Sequence, residues 1–368
     1  MMTNERKFKQ INSLIKKSKK PLFIIGAGFD RNEVSTLLSF GIPIFHTWGA
    51  KDYLDSSEFL NMGDFGVTSQ RIGNFAIKHA DLIIVLGSRL DTHQFLETKA
   101  KTVRVDIDPS ELETSGDIKL KMDAVKFLNR LTSPGWRWPS WTGNLRELKL
   151  SEINKYQETR PYKLIKHLSK LAFSDSVIIT DAGQTLTWTM QSWRIKEGQR
   201  LISAFNNSPM GYAIPAAIGA YFAGFEKILV TIGDGGFYMN LQDLSIIGEL
   251  QIPIKIFVFD NGGYGMIEQT QSDWDELTMG VATQPEMASI EGLAKAHNIG
   301  FVQINENSDL RKLKSVLYSS KPIICRIKIP KGTKIQSKLK FGDSLTDLTP
   351  KLNKKEKKKI NEILKKSK

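Results

Sequence analysis

The chain has a single cysteine, Cys325, among its 368 residues. That excludes an intrachain disulfide and points to a reducing compartment, the cytoplasm by default. No apolar run approaches the roughly 18 residues that a membrane-spanning helix needs, so no membrane association is expected. The first residues, Met1-Met2-Thr3-Asn4-Glu5-Arg6, carry no apolar core of the kind found in a secretory leader. Histidine is scarce: His46, His79, His93, His167 and His297 form no metal-ligand spacing, and each reads as structural. Gly26-Ala27-Gly28-Phe29-Asp30-Arg31 lacks the sixth-position glycine of a G-x-G-x-x-G dinucleotide fingerprint. There is no internal repeat at a solenoid period.

The bulk of the sequence is that of an ordinary globular protein, 40% hydrophobic and 25% charged, long enough for two domains. Its formal charge is +13, and the stretch from Lys351 to Lys368 holds nine lysines against Glu356 and Glu362. A terminal charge run is ordinarily a solvated tail or helix face. No aromatic ladder accompanies it and no nucleic-acid motif occurs, so nucleic acid is not an expected partner.

Alternating strand and helix patterns define the fold class as α/β, with two doubly wound parallel-sheet domains. Residues 1–135 form the first, a Rossmann-like domain, with buried strands expected at 21–25, 42–45, 82–86 and 103–107. The proline-punctuated stretch at 136–160, with Trp136, Trp138 and Trp141, reads as an interdomain connection. Residues 161–331 form the second domain, with strands at 176–180, 227–232, 254–259 and 322–327 and helices starting near Gly211, Leu241 and Met287. Residues 332–368 read as a basic tail.

Two motifs in the second domain carry chemistry. Gly233-Asp234-Gly235 follows the apolar run 228–232, and Asp260-Asn261-Gly262-Gly263-Tyr264-Gly265 follows the run 254–259. Two buried strands ending side by side would bring a carboxylate and an amide oxygen to one crevice, a hard-oxygen site suited to Mg²⁺. The flanking glycines would let the backbone approach a diphosphate closely.

This pairing resembles the diphosphate-binding motif of thiamine diphosphate (ThDP) enzymes. Further segments narrow the resemblance to the acetolactate synthase large (catalytic) subunit-like family: 180–188, the turn and helix at 207–220, 235–244, Gly87-Ser88-Arg89-Leu90-Asp91 and Asp106-Ile107-Asp108-Pro109. Together they run in unbroken order over about residues 8–330. The resemblance implies that 1–135 is the family's central domain and 161–331 its ThDP-binding domain. It implies Mg²⁺ ligation by Asp234, Asn261 and the Gly263 carbonyl. Gln184, Thr185, Gly233, Gly235 and Gly236 fall where the family contacts the diphosphate, with helix N-terminal N–H groups toward it. Met210 matches the apolar wedge under the cofactor, and the Ser208 carbonyl and Met210 N–H match partners of the pyrimidine. Tyr264, Gly265 and Met266 continue the cofactor-binding positions, and Tyr264, Met266 and Gln269 would line the substrate pocket.

By the same resemblance the reaction is decarboxylation of a 2-oxo acid, most plausibly pyruvate, with transfer of the fragment to an acceptor carbonyl. The alternatives are a simple 2-oxo acid decarboxylase subunit and a catalytically silent ThDP-binding subunit. The sequence departs from the family in lacking its pyrimidine-binding domain, whose glutamate activates the cofactor. No catalytic residue is therefore assigned within this chain, and Glu268 reads as a solvated helix residue. A separate pyrimidine-domain polypeptide and an oligomer are expected. Thr270 and Thr185 stand where acetolactate synthases have tryptophan and histidine, which leaves the acceptor open. Residues 341–350 resemble the tail of relatives encoded with surface-polysaccharide genes, which hints at a sugar-pathway or unusual acceptor. Some relatives hold FAD in the central domain. Gly63-Asp64-Phe65-Gly66 and Arg89 could face a nucleotide, but turns and packing account for them equally, and FAD is not expected.

Overall fold

The computed structural model describes residues 3–91, 93–113, 116–135, 137–155, 159–273 and 287–366. The chain divides into two compact units, one formed by Met1–Tyr156 with Gln336–Lys368 and the other by Gln157–Ile335. Each is built on a six-stranded, wholly parallel sheet with flanking helices, so the α/β doubly wound class holds for both. Among the described residues no helix is long and apolar enough to cross a membrane.

The strands of the first unit are β1 (Pro21–Ile25), β2 (Ile44–His46), β3 (Asn61–Gly63), β4 (Leu82–Leu86), β5 (Lys101–Asp106) and β6 (Ile118–Lys121). Their spatial order is β3-β2-β1-β4-β5-β6, the dinucleotide-fold order in which the connection reverses between β1 and β4. The central strands β1 and β4 are buried at every position, as apolar runs covered on both faces must be. At the reversal point the loops after β1 and β4 touch. A Cβ on Gly26 would lie 2.3 Å from the Gly87 carbonyl oxygen, and Gly28 N–H donates to that oxygen at 2.9 Å. These glycines therefore serve close backbone packing. Asp64 is buried, accepting the Gln70 N–H at 3.0 Å and the Trp48 indole N–H at 3.3 Å, while Arg89 pairs with Glu111 on the surface.

Two expectations change in this unit. The stretch expected to connect the domains at 136–160 is largely a helix, Pro139–Lys155, whose Trp141, Leu145 and Leu148 join the core of the first unit. The indoles of Trp138 and Trp141 donate to the Ser18 and Pro21 carbonyls at 2.9 and 3.1 Å; Trp136 lies outside the described residues. Nor is the segment beyond 335 a free basic tail. Buried Leu345, Leu348 and Leu352 and the wholly covered Leu364 pack it onto the same unit, and it ends in a helix, Lys354–Lys366. The lysines masked a sparse apolar stripe, Ile360, Ile363 and Leu364, at helical spacing.

The second unit contains β7 (Val177–Thr180), β8 (Arg200–Ile202), β9 (Ile228–Gly233), β10 (Lys255–Asp260), β11 (Gly300–Ile304) and β12 (Ile323–Lys328), in the order β11-β12-β10-β9-β7-β8. Its core is aliphatic, built from β7, β9, β10 and the helices Ala213–Phe222 and Leu244–Glu249. Cys325 is buried on β12, and burial pushes its thiol up to about 12, so it is inert at neutral pH.

Arg71 is the anchor of the returning segment in the first unit. Its buried guanidinium donates to the Leu348 and Pro350 carbonyls, and neighbouring Asn74 donates to the Leu345 carbonyl at 2.8 Å. Replacing Arg71 with Met leaves those carbonyls without their charged donor and should destabilise the unit by about 3 kcal/mol. Urea denaturation checks the magnitude. Limited trypsinolysis should then cut first at Lys338 and Lys340, and unchanged cleavage there would remove Arg71 from its anchoring role.

Candidate active site at the strand ends of the second unit

The connection in the second sheet reverses between β7 and β9: β8 lies on one side of β7, and β9 and β10 on the other. In open α/β sheets the crevice outside the carboxyl ends of strands at such a reversal is where ligands bind. Three carboxylates stand at these ends. Asp181 follows β7, Asp234 follows the last residue of β9, and Asp260 ends β10.

Asp234 opens a short helix, Asp234–Met239, and is 4% exposed. Its Oδ2 accepts the N–H groups of Gly262 and Gly263, both at 3.0 Å. Burial, then the charge of Asp260, pushes its carboxyl up to about 7 against those hydrogen bonds. Asp260 is itself held by Arg326, whose Nε lies 2.7 Å from Oδ2.

Asn261 completes the arrangement, and its amide fits in two orientations. With the oxygen inward, Oδ1 lies 2.8 Å from the Gly263 carbonyl oxygen and 3.2 Å from Asp234 Oδ1, with no N–H between them. Its nitrogen then donates to Gln184 Oε1 at 3.1 Å. Turned over, the nitrogen donates to both of those oxygens. Hydrogen bonding within the protein favours the second orientation, and a bound cation favours the first. Around an octahedral Mg²⁺ with oxygens at about 2.1 Å, adjacent ligand oxygens lie about 3.0 Å apart. The inward spacing brackets that value, so the donor set fits a small hard dication. No group of three or more His, Cys, Asp or Glu residues gathers at a metal-like spacing among the described residues. The donors here are one carboxylate, one amide and one carbonyl.

Gln184 departs from expectation. Rather than standing free for a diphosphate, its buried amide donates to Gln269 Oε1 at 3.3 Å and to the Thr333 carbonyl at 3.0 Å, while its oxygen faces Asn261. Gln269 in turn exchanges two bonds with the Ile335 backbone, at 2.8 and 3.0 Å. It ties helix Gly265–Asp273 to the segment after β12 and is no open wall of a pocket. The amide chain from 333–335 through Gln269 and Gln184 thus ends on Asn261, meeting its nitrogen when the oxygen is inward. Gly265 makes room for it: a Cβ there would lie 2.2 Å from Gln184 Oε1 and 2.5 Å from Asn261 Nδ2.

The remaining residues border the same crevice. Thr185 is buried in the first turn of helix Gly183–Ser192, with its Oγ1 facing Gly233. Gly235 and Gly236 are buried in the turn that Asp234 opens, and a Cβ on Gly236 would collide with Asp181 Oδ2. Asp181 was not singled out from sequence, yet it organises the neighbouring loop. Its two oxygens accept the Gly211 and Ala213 N–H groups, each at 3.0 Å. That pins a turn in which Ser208 and Gly211 adopt φ of 41° and 86°. Met210, on this turn, is 39% exposed and so no part of the core. Tyr264 and Met266 are half-buried where helix Gly265–Asp273 begins. Asp181 occupies the same place after a buried strand as Asp234, a positional signal that was available. Arg326 gave none, because only the sheet pairing brings it to Asp260.

Residues 181–327 match the family model described as thiamine pyrophosphate enzyme, C-terminal TPP binding domain. Residues 8–131 match the one described as thiamine pyrophosphate enzyme, central domain. The chain belongs to the thiamine pyrophosphate enzymes and carries these two domains of the family. Within it, the chain is homologous to acetolactate synthase large subunits. It is 27% identical over 346 residues to the acetolactate synthase large subunit of Lactococcus lactis subsp. lactis (strain IL1403), covering 88% of this chain and 60% of that one. With acetolactate synthase isozyme 1 large subunit of Escherichia coli (strain K12) it shares 27% over 367 residues, 94% and 65% of the two chains. With acetolactate synthase 1, chloroplastic, of Zea mays the figures are 26% over 370 residues, 92% and 58%. The chain thus spans about 60% of the length of curated relatives it matches.

Two outcomes follow from this geometry. A cation beside Asp234 must displace a proton held up to about pH 7. Mg²⁺ affinity should therefore level off above that pH and fall about tenfold per unit below it; calorimetric titration between about pH 6 and 8 measures this. Gly265→Ala should weaken Mg²⁺ affinity by about 10–100-fold, the usual effect of disturbing the groups that orient a ligand. Thermal unfolding in EDTA should change far less, which separates lost orientation from lost folding.

Proposed function

We propose that the second unit holds Mg²⁺ and thiamine diphosphate between the ends of β9 and β10, and that the protein works as an acetolactate synthase-like enzyme. It would decarboxylate a 2-oxo acid, pyruvate in the first instance, and join the fragment to an acceptor carbonyl. The observation that carries this reading is the convergence of the Asp234 carboxylate, the Asn261 amide and the Gly263 carbonyl at the ends of β9 and β10, lying within the segment that matches the TPP binding domain. When bound, the cofactor supplies the electron sink that makes decarboxylation feasible.

The chain's own residues bind and orient. Asp234, Asn261 and the Gly263 carbonyl would hold the metal. Backbone N–H groups of Gly235 and Gly236 and the hydroxyl of Thr185 would face the diphosphate. Exposed Met210 on its pinned turn would support the rings, with the Ser208 carbonyl and the Met210 N–H directed at the pyrimidine. Tyr264 and Met266 would give the substrate an apolar wall, which favours loss of carboxylate charge.

The acid that activates the pyrimidine is not assigned to this site. Asp181, Asp234 and Asp260 are all engaged, by backbone N–H groups or by Arg326. We place that acid on a pyrimidine-binding domain of a partner polypeptide, in a cytoplasmic hetero-oligomer.

Purification of the chain from its host with whatever co-elutes, followed by CO₂ release from pyruvate, tests the reading. Turnover should need a co-eluting polypeptide, Mg²⁺ and ThDP together. Asp234→Ala should weaken Mg²⁺-dependent ThDP retention more than about 100-fold, since an interaction with a charged ligand is lost. Retention unchanged in that variant would sink the metal assignment. Retention without turnover by the purified complex would instead make the chain a silent cofactor-binding subunit.

A further inference from the structure

The lysine-rich C-terminal helix plays no part in the site above, yet it forms one wall of a cavity in the first unit. The cavity measures about 810 Å³ and lies between helix Arg71–His79, the residues just before β5, and helix Lys354–Lys366. Lys78, Lys99, Lys358 and Lys365 line it, with Glu97 and Glu362 the opposing charges. Both elements that enter the sheet from it, β4 and β5, do so at their amino ends. It therefore lies at the opposite edge of the sheet from the β1–β4 reversal point.

The acids are already engaged. Glu97 accepts the Ser344 hydroxyl and the Leu345 N–H, and Glu362 is 3.9 Å from Lys358. The lining therefore carries four lysines against two carboxylates, an excess of positive charge around the concavity. His79 stands in the same wall: burial holds its imidazole below the usual range against the Asn361 hydrogen bond, with smaller contributions from Lys20, Lys365 and Lys78. Its Nε2 meets Asn361 Oδ1 at 2.7 Å, and Asn361 Nδ2 donates to the Lys357 carbonyl. The shared proton must therefore sit on Nε2, and Nδ1 is left as a group that can donate once the ring is charged.

We propose that this cavity is a binding site for a small organic phosphate. Its size lies within the range of about 300–1,000 Å³ typical of small-molecule sites. Lysine amines recognise phosphate as point charges. No Phe, Tyr or Trp lines it, and the one ring there, the His79 imidazole, is engaged by Asn361, so the lining favours recognition of the phosphate over stacking of a nucleobase. The concave shape and the flanking acids disfavour a long polyanion lying across it.

The test uses the full chain in EDTA without ThDP, which keeps the Mg²⁺-dependent site from holding an anion. Inorganic phosphate and ribose 5-phosphate are titrated while the His79 Cε1–H resonance and the heat of binding are followed. The expected result is saturable binding below about 1 mM, with a downfield shift of His79 as its ring takes up a proton. Lys78→Gln with Lys365→Gln should weaken binding at least tenfold. Lys355→Gln with Lys359→Gln, on the same helix but outside the cavity, should leave it unchanged. The proposal is overturned by no response at His79, by equal loss in both double variants, or by binding seen only with heparin or DNA.

Discussion

The register between β9 and β10 is the constraint on which the site depends. Gly233 pairs with Phe259 across the sheet, so Asp234 and the Asp260-Asn261 pair leave their strands side by side. A slip of one residue would turn every side chain of a strand to the other face, and the oxygens of Asp234 and Asn261 would no longer converge. The register is held by apolar contacts on both faces of β10, each of whose residues is buried. Stability of the core and placement of the ligands are therefore one requirement.

Bringing three carboxylates to one crevice has an electrostatic cost, and the structure answers each differently. Asp181 accepts two backbone N–H groups, Asp260 is held by Arg326, and Asp234 accepts the Gly262 and Gly263 N–H groups but also bears the charge of Asp260. The least compensated carboxylate is the one beside Asn261, and its affinity for a proton is the measure of what a cation would gain there. The glycines follow the same logic. Gly236 and Gly265 are each filled against by a polar side chain, Asp181 and Gln184 respectively, so any larger residue would displace a group that orients the site.

Most of the fold was legible because the inner strands of a parallel sheet are near-continuous apolar runs. All eight strands expected from sequence are present, displaced by no more than two residues at either end. The four that escaped, β3, β6, β8 and β11, are the four sheet edges. These edge strands carry Asn61, Lys119, Lys121, Arg200 and Gln303, and three of them are partly exposed, so no hydrophobic run announces them. The helix at 139–155 was hidden behind its prolines and tryptophans, and the last helix behind its lysines. In the site, the paired motifs located the crevice, because residues adjacent in sequence to strand ends are placed by the strands alone. The amide chain through Gln184 and Gln269 to 333–335, and the Arg326 partner of Asp260, join segments far apart in sequence. Only tertiary pairing reveals them.

The most direct measurement is a crystal structure of the chain with Mg²⁺ and ThDP, read at the Asn261 amide. The Asn261 oxygen should point inward, with the metal at about 2.1 Å from Asp234, from Asn261 Oδ1 and from the Gly263 carbonyl, and Gln184 still bonded to the amide nitrogen. A metal bound elsewhere, or the Asn261 nitrogen turned toward the Gly263 carbonyl while ThDP is bound, would contradict this arrangement.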